Sequence, residues 1–220
     1  DGIYAICSDG NIYSLEDNTR QPNRIASVKF DLACCCGHLD YLVIGCKDVK
    51  GSSMIVLLNT KDLSIRELSD GHLGDVTKVM SKKNVLYSSG VDGLVCEYNG
   101  DYELEQVYSF EASIADFDVH KGKVYSLTDI HTVSIANRES GDTQVLNRPE
   151  GLFGFMVYKN KVFYSKDDGS VMIFKADKKL KPEKTSKPHD CFVEYGGVDG
   201  DCLYSLDESG KLVCSDLLFS

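Results

Sequence analysis

The same β-hairpin pattern occurs six times along the 220 residues of this chain. Each copy has an apolar strand that ends in a small residue, then a turn, then a strand of alternating residues. The turn is Asp-Gly in the clearest copies, and Asp-Gly between apolar runs favours a hairpin because such turns need a positive φ. The hairpins are predicted near residues 3–16, 41–59, 85–99, 124–137, 162–175 and 203–216.

The hairpins recur every 38 to 43 residues, measured between the first apolar residues after successive turns. A period near 40 with about four short strands per unit is typical of a β-propeller. The first hairpin has no strand before it, and the last hairpin has none after it. The sequence therefore predicts an all-β chain that forms a single domain over residues 1–220. That domain is a β-propeller of about six four-stranded blades, and its first and last blades are incomplete.

The remaining strands are predicted between the hairpins. Inner strands precede hairpins at Asp31–Cys36, Val76–Ser81, Ile114–Val119, Leu152–Tyr158 and Cys191–Tyr195. Outer strands follow hairpins at Arg24–Phe30, Ser64–Leu68, Glu105–Phe110, Thr143–Leu146 and Glu183–Ser186. Unpaired strand edges invite association. We therefore expect a strand-donating partner, a second copy or residues outside this chain to supply the missing strands by β-addition, or else loops and charges to shield the edges.

One stretch resembles the WD40 repeat closely. It contains Gly71-His72, Ser88 and the turn residue Asp92, and Tyr98 stands where the family has the Trp of its Trp-Asp pair. In that family these side chains form a hydrogen-bonded brace across the blade. The resemblance therefore implies a structural brace of His72, Ser88, Asp92 and Tyr98. The chain has no tryptophan, so it resembles a divergent WD40-repeat β-propeller.

A weaker copy of the same pattern lies in the last repeat. His189 stands at the Gly-His position there, and Ser205 stands at the Ser position. The resemblance implies that these two residues take part in a second contact of the same kind.

Several residues are of types that occur in catalytic or metal-binding sites, and a structural role explains each of them. His72, Ser88 and Asp92 could form a catalytic triad, but a triad is recognised by geometry and the brace already explains all three. Asp9, Asp92 and Asp168 each precede a turn glycine, where Asp caps its own turn rather than binding a metal. Motifs for phosphate loops, metalloprotease helices and hydrolase elbows are absent from the sequence. We expect no catalytic residues, cofactor or metal.

Cysteine content and charge restrict the compartment and the partners. The nine cysteines include the run Cys34–Cys36, and none is arranged as Cys-x-x-Cys. Neighbouring residues on a strand point to opposite faces, so consecutive cysteines are badly placed for a disulfide and we expect reduced thiols. Reduced thiols are typical of cytoplasmic or nuclear proteins, which is the location we expect. The net charge of −10 argues against nucleic acid as a partner. No apolar run approaches the ~18 residues of a membrane span.

The expected function is a non-catalytic scaffold for protein–protein interaction. The loops that enter inner strands and the turns within hairpins form the top face of a WD40-like blade, and here they carry carboxylates. The predicted acidic top rim, which would take a basic partner segment, consists of Asp75, Glu111, Asp116, Glu150, Asp167, Asp190 and Glu208. One alternative is an enzyme or ligand site in the central channel, to which the inner strands would supply mostly apolar residues, with Asp118 and Glu194 as exceptions. Another is metal or small-molecule sensing through Cys34–Cys36.

Overall fold

The computed structural model describes residues 3–7, 9–15, 21–48, 50–68, 71–130, 132–147, 152–158, 161–175, 182–199 and 202–216. Within these ranges the chain forms 22 strands, arranged in six antiparallel sheets, and no helix. No helical segment there could cross a membrane. The chain divides into two compact units, Asp1–Ser113 and Ile114–Ser220, with three sheets each.

The first unit holds sheets 1 to 3, and in each sheet every strand pairs with the next along the chain. Sheet 1 contains β1 (Ile3–Ile6), β2 (Asn11–Leu15) and β3 (Pro22–Ser27). Sheet 2 contains β4 (Asp31–His38), β5 (Tyr41–Lys47), β6 (Ser53–Asn59) and β7 (Ile65–Leu68). Sheet 3 contains β8 (Val76–Lys82), β9 (Val85–Gly90), β10 (Leu94–Tyr98) and β11 (Leu104–Ser109).

The second unit holds sheets 4 to 6 with the same strand order. Sheet 4 contains β12 (Ile114–His120), β13 (Lys123–Thr128), β14 (Thr132–Asn137) and β15 (Thr143–Asn147). Sheet 5 contains β16 (Leu152–Tyr158), β17 (Lys161–Lys166), β18 (Val171–Lys175) and β19 (Pro182–Ser186). Sheet 6 contains β20 (Val193–Asp199), β21 (Cys202–Asp207) and β22 (Leu212–Asp216).

All six predicted hairpins are present, and sheets 1 and 6 have three strands each among the described residues, as predicted. The origin of any further strand stays a prediction. One outer strand differs, because β3 ends at Ser27 although the prediction extended it to Phe30. The backbone N–H of Val28 instead donates to the carbonyl of Gly10 in the β1–β2 turn, at 2.9 Å. The chain therefore leaves the sheet at that hydrogen bond.

The cores of both units lie between successive sheets. Val43 and Ile44 are neighbours on β5, and because strand residues alternate faces they belong to different clusters. Ile44 packs with Ile12 of sheet 1, and Val43 packs with residues of sheet 3 such as Val79. In the second unit the neighbours Phe163 and Tyr164 of β17 also face opposite ways: Tyr164 packs with residues of sheet 4, and Phe163 packs with residues of sheet 6. Each central sheet is thus buried on both faces.

The Asp-Gly turns need glycine for two separate reasons. Gly93, in the β9–β10 turn, has a φ of +77°, which L side chains rarely adopt. A Cβ at this position would also lie 2.7 Å from the carbonyl oxygen of Phe110, whose N–H donates to the Gly93 carbonyl at 2.9 Å. The turn therefore packs directly on the chain that leaves the outer strand of the same sheet.

Candidate functional site

The four residues of the predicted brace meet in sheet 3. Nε2 of His72 lies 2.7 Å from Oγ of Ser88, and its Nδ1 lies 3.1 Å from both carboxylate oxygens of Asp92. Ser88 Oγ also lies 3.2 Å from the hydroxyl of Tyr98. The Asp92 carboxylate accepts the backbone N–H of Leu73 at 2.8 Å. The brace therefore connects the loop before β8, the turn after β9 and the strands β9 and β10.

The geometry of this group excludes catalysis by a Ser-His-Asp mechanism at this point. Ser88 is fully buried, and Tyr98 is 1% exposed. A nucleophilic hydroxyl must reach a substrate carbonyl, but Ser88 Oγ is enclosed between His72 and Tyr98. The arrangement holds a loop in place, which is the role that the resemblance implies.

A glycine makes room for the brace. A Cβ built on Gly90 would lie 2.6 Å from Oδ1 of Asp92 and 2.7 Å from Nδ1 of His72. Real Cβ atoms essentially never come this close to another heavy atom. The small residue that ends the first strand of this hairpin is thus required by the side chains that close over it.

A second brace occurs in sheet 6, and it contains a residue that the sequence analysis missed. Nε2 of His189 lies 2.7 Å from Oγ of Ser205, and Nδ1 lies 2.8 Å from Oδ2 of Asp207. Asp92 comes four residues after its serine, but Asp207 comes only two after Ser205. The turn begins two residues after the serine in both sheets, since the N–H of Gly93 donates to the Gly90 carbonyl and the N–H of Gly210 donates to the Asp207 carbonyl. Asp207 therefore occupies the position that Gly90 holds in sheet 3, yet its carboxylate reaches the same ring nitrogen. His-to-Ser spacing alone would identify only two of these three residues.

Asp207 gives a pH dependence of known sign. The hydroxyl of Ser209 donates to Asp207 Oδ1 at 2.6 Å, and this bond, with others from Lys211 N–H and His189, lowers the pKa of the carboxyl. A lowered folded-state pKa stabilises the fold above the unfolded-state value of about 4, and this stabilisation is lost as pH falls below it. In urea unfolding between pH 6 and 3, wild type should lose more stability than Asp207→Asn. Parallel pH profiles for the two proteins would contradict this.

The other turn aspartates cap their own turns, as predicted. Asp9 Oδ1 accepts the N–H of Asn11 at 3.0 Å, and Asp168 Oδ1 accepts the N–H of Ser170 at 2.9 Å. Hydrogen bonds from Asn11 lower the pKa of Asp9, and those from Ser170 lower the pKa of Asp168. No group of three or more His, Cys, Asp or Glu residues that could hold a metal is found within the part of the chain that the structure describes.

The residues of the predicted acidic rim differ in their surroundings. Asp75 forms an ion pair with Lys47 Nζ at 2.7 Å, and Asp116 accepts the backbone N–H of Phe117 at 2.8 Å. Glu150 lies outside the described residues. The exposed rim residues on loops and turns are Glu111, Asp167, Asp190 and Glu208. Of the six predicted rim residues that the structure describes, four are therefore exposed on loops or turns.

Two of the exposed carboxylates lie on connected segments of sheet 6. Asp190 is on the loop that enters β20, and Glu208 is on the β21–β22 turn. The backbone N–H of Glu208 donates to the carbonyl of Phe192 at 3.0 Å, so the turn is fixed against that loop. Sheet 3 has the equivalent bond, from Val91 N–H to the carbonyl of Asp75 at 2.9 Å. The loop and turn of the top face therefore form one rigid edge in each sheet.

Of the two charged residues considered for a central channel, the structure describes the side chain of Asp118. Asp118 is 5% exposed, and its carboxylate accepts the N–H of Val119 and the N–H of Val157, both at 2.7 Å. It therefore joins β12 of sheet 4 to β16 of sheet 5. The side chain of Glu194 lies outside the described residues.

The cysteines are free thiols, and the consecutive ones alternate in exposure. Cys34 and Cys36 pack in the core between sheets 2 and 3, whereas Cys35 is exposed. Burial raises the pKa of Cys34 to about 11 and that of Cys36 to about 12. These thiols stay protonated at neutral pH, which makes them poor nucleophiles and poor metal ligands.

Thiol reactivity should follow this division. With Ellman's reagent at pH 8, we expect the exposed Cys7, Cys35 and Cys214 to react first, because a thiol must be reached before it can react. Cys46 and Cys96, which are buried, should react only when the protein unfolds in urea. Mass-spectrometric mapping of labelled peptides would identify each site. Early labelling of Cys46 or Cys96 in the native protein would contradict the structure.

Sheets 2 and 3 also form a cleft that no motif in the sequence predicts. It has a volume of about 830 Å³ and is lined mainly by β7, the loop before β8 and the β10–β11 turn. The lining side chains that matter below are Arg66, Leu68, Leu73, Tyr98, Tyr102 and Leu104. We call this the Arg66–Tyr102 cleft. These residues are far apart in sequence and meet only because two sheets stack.

A buried histidine lies behind the same cleft. His38 is 3% exposed, its Nδ1 lies 2.8 Å from Oγ of Ser81, and its ring meets that of Tyr102 edge to face at 5.7 Å. Burial lowers the pKa of His38. His38 is therefore a core residue whose Nδ1 has a hydrogen-bond partner, which is an ordinary structural role for a buried histidine.

Comparison with known proteins agrees with this geometry. No protein-family model matches the chain. The chain is 38% identical over 91 residues to WD repeat-containing protein GTS1 of Arabidopsis thaliana, and the match covers 36% of this chain and 23% of that protein. The crystal structure of the WD40 β-propeller domain of Doa1 has a similar fold, with a TM-score of 0.76 and 14% identity over 99% of this chain and 79% of that chain. The fold of this chain is that of a divergent WD40 β-propeller.

Proposed function

We propose that this chain is a non-catalytic scaffold that binds other proteins through the top edges of its sheets. The observation that carries the proposal is the rigid construction of those edges. In sheets 3 and 6 a buried His-Ser-Asp brace and a backbone hydrogen bond hold the entering loop against the hairpin turn. Binding residues are commonly placed on loops that a rigid frame positions. The His-Ser-Asp groups of sheets 3 and 6 thus have a structural role, which is to hold the loop and the turn of each edge together.

The edge of sheet 6 is the best candidate for contact with a basic segment. Asp190 and Glu208 are exposed there on connected segments, and no ion pair is found for either among the described residues. Carboxylates on a rigid surface attract cationic segments and speed their association. Asp75 contributes less than expected from the sequence, because Lys47 already neutralises it. A cytoplasmic or nuclear location is part of the same proposal and is supported by the free thiols.

The test is the binding of a fluorescent decalysine peptide to the purified chain, with decaglutamate as the negative probe. We expect the Asp190→Lys, Glu208→Lys double variant to bind decalysine at least several-fold more weakly than wild type. Binding should also weaken with added salt, since exposed charges are screened over about 8 Å at physiological ionic strength.

The control changes the same net charge elsewhere in the second unit. Glu139 and Asp142 are exposed on the β14–β15 turn, at the opposite end of sheet 4 from its entering loop. Glu139→Lys, Asp142→Lys should leave most of the affinity intact. Equal losses in both double variants would show that only total charge matters, and the basic-segment proposal would then be wrong.

A further inference from the structure

The Arg66–Tyr102 cleft contains a strained residue with an unused polar group. Tyr102 has a φ of +64°, which is uncommon for a residue with a side chain. The residue is 9% exposed, and its hydroxyl is buried with no hydrogen-bond partner within the described part of the chain. Strained backbone and unpaired buried polar groups persist where the surrounding structure imposes them, often at ligand sites. The ring of Tyr102 lies in the wall of the cleft, where it packs against Arg66.

Arg66 supplies a positive charge at the same place, and no ion pair of its guanidinium is found among the residues that the structure describes. Its guanidinium carbon lies 5.7 Å from the centroid of the Tyr102 ring, a cation–π distance, and the residue is exposed. No carboxylate lies within ion-pair distance of Arg66 in the ranges described above. A guanidinium stacked on an aromatic ring keeps its N–H edges available for a carboxylate.

The neighbouring Glu67 does not neutralise Arg66. Residues on a strand alternate faces, so Arg66 shares its face of β7 with Leu68, which packs toward sheet 3. Glu67 is also among the residues that line the cleft, but its side chain belongs to the opposite face of β7, and its charge acts on Cys46 in the core between sheets 1 and 2. Glu103 is the other acidic residue at the cleft, and its carboxylate lies 3.5 Å from Asn99 Nδ2.

The rest of the lining is apolar and open. Leu73 is 98% exposed and Leu104 is 39% exposed, and Leu68 lies at the inner wall. The strands β7 and β11 pair on one side only among the described residues, so their outer edges have free backbone groups. Such edges accept an extended peptide through main-chain hydrogen bonds. The volume of about 830 Å³ suits several residues of a peptide rather than one small ion.

We propose that the Arg66–Tyr102 cleft binds an extended peptide segment of a partner protein. A carboxylate side chain of the peptide pairs with Arg66, which is stacked on the Tyr102 ring, and an adjacent apolar side chain packs against Leu68, Leu73 and Leu104. The single guanidinium in the lining matches the single charge of a carboxylate. This site lies in the first unit and takes an acidic-apolar segment, so it is separate from the edge of sheet 6.

The experiment is selection of a phage-displayed random dodecapeptide library against the whole chain. We expect the enriched peptides to share an Asp or Glu next to a large apolar residue. Synthetic copies should bind in calorimetry, and Arg66→Gln should weaken them about tenfold or more, since charge-assisted hydrogen bonds are the strong ones. Tyr102→Phe keeps the ring beneath Arg66 and removes only the buried hydroxyl, so it should leave peptide affinity close to that of wild type.

The matched control is Arg24→Gln, which removes an exposed arginine from the outer strand β3 of the same unit. It should leave peptide affinity unchanged, and circular dichroism of all three variants should match wild type. The proposal is overturned if no acidic-apolar consensus is enriched. It is also overturned if the enriched peptides bind Arg66→Gln as tightly as wild type. Neither result depends on decalysine binding, so this site and the proposed basic-segment surface fail or succeed separately.

Discussion

Gly90→Ala should destabilise the chain by about 1–3 kcal/mol, the usual range for forcing extra atoms into a packed interior. The added Cβ would meet Asp92 Oδ1 at 2.6 Å and His72 Nδ1 at 2.7 Å, so the brace must open or the strand must move. In a chain of this size each kcal/mol lowers the melting temperature by about 2–4 °C. Thermal unfolding followed by circular dichroism measures the effect.

The control is Gly100→Ala, the same substitution in the β10–β11 turn of the same sheet. Gly100 has no heavy atom within 4 Å of an added Cβ, and its φ lies outside the left-handed region. Its effect should stay within about 0.5 kcal/mol, as for most surface substitutions. If both alanine variants melt at the same temperature, the brace does not depend on the space at Gly90.

Asp118→Asn should lower the free energy of unfolding by about 1–3 kcal/mol. The carboxylate accepts backbone N–H groups from both Val119 and Val157, at 2.7 Å each. A carboxamide has only one oxygen, so one of these buried N–H groups would face an NH₂ group and lose its acceptor. Urea denaturation at neutral pH would give the change directly.

The matched control for this variant is Asp142→Asn, on the exposed β14–β15 turn of the same unit. No hydrogen bond of its side chain stabilises the sheet, so its stability should equal that of wild type within error. If Asp118→Asn leaves the free energy of unfolding unchanged, the carboxylate is not needed to join β12 to β16. The buried acid would then need another explanation, such as the channel chemistry considered from the sequence.

Features set by local chemistry were predictable from the sequence, and features set by sheet stacking were not. The hairpin around Gly93 was predictable because Asp-Gly and alternating residues act within a few positions. The brace at His72 was predictable through its resemblance to a known repeat. Asp207 was missed because it lies two residues after its serine, at the position of Gly90, and not four residues after it as Asp92 does. The Arg66–Tyr102 cleft was missed because its walls come from adjacent sheets, and no local pattern reports their separation.

The end of β3 is a second feature that the sequence pattern alone does not predict. The apolar pattern continues to Phe30, so pattern alone extends the strand. The structure ends it at Ser27 because Val28 bonds to the turn residue Gly10. Sheet 3 has the equivalent bond, from Phe110 N–H to the Gly93 carbonyl, just after β11 ends at Ser109. The position of the hairpin turn therefore decides the boundary, and the apolar pattern of the outer strand does not report that position.

The order of strands within the sheets has a consequence for how the chain folds. Every strand of a sheet pairs with its immediate neighbour in sequence, so the loops that must close are short and their entropic cost is small. During synthesis, a four-stranded sheet can be completed as soon as its own 40 or so residues have left the ribosome. A lone sheet still exposes two apolar faces, so lasting order must wait for the next sheet to emerge and cover one of them.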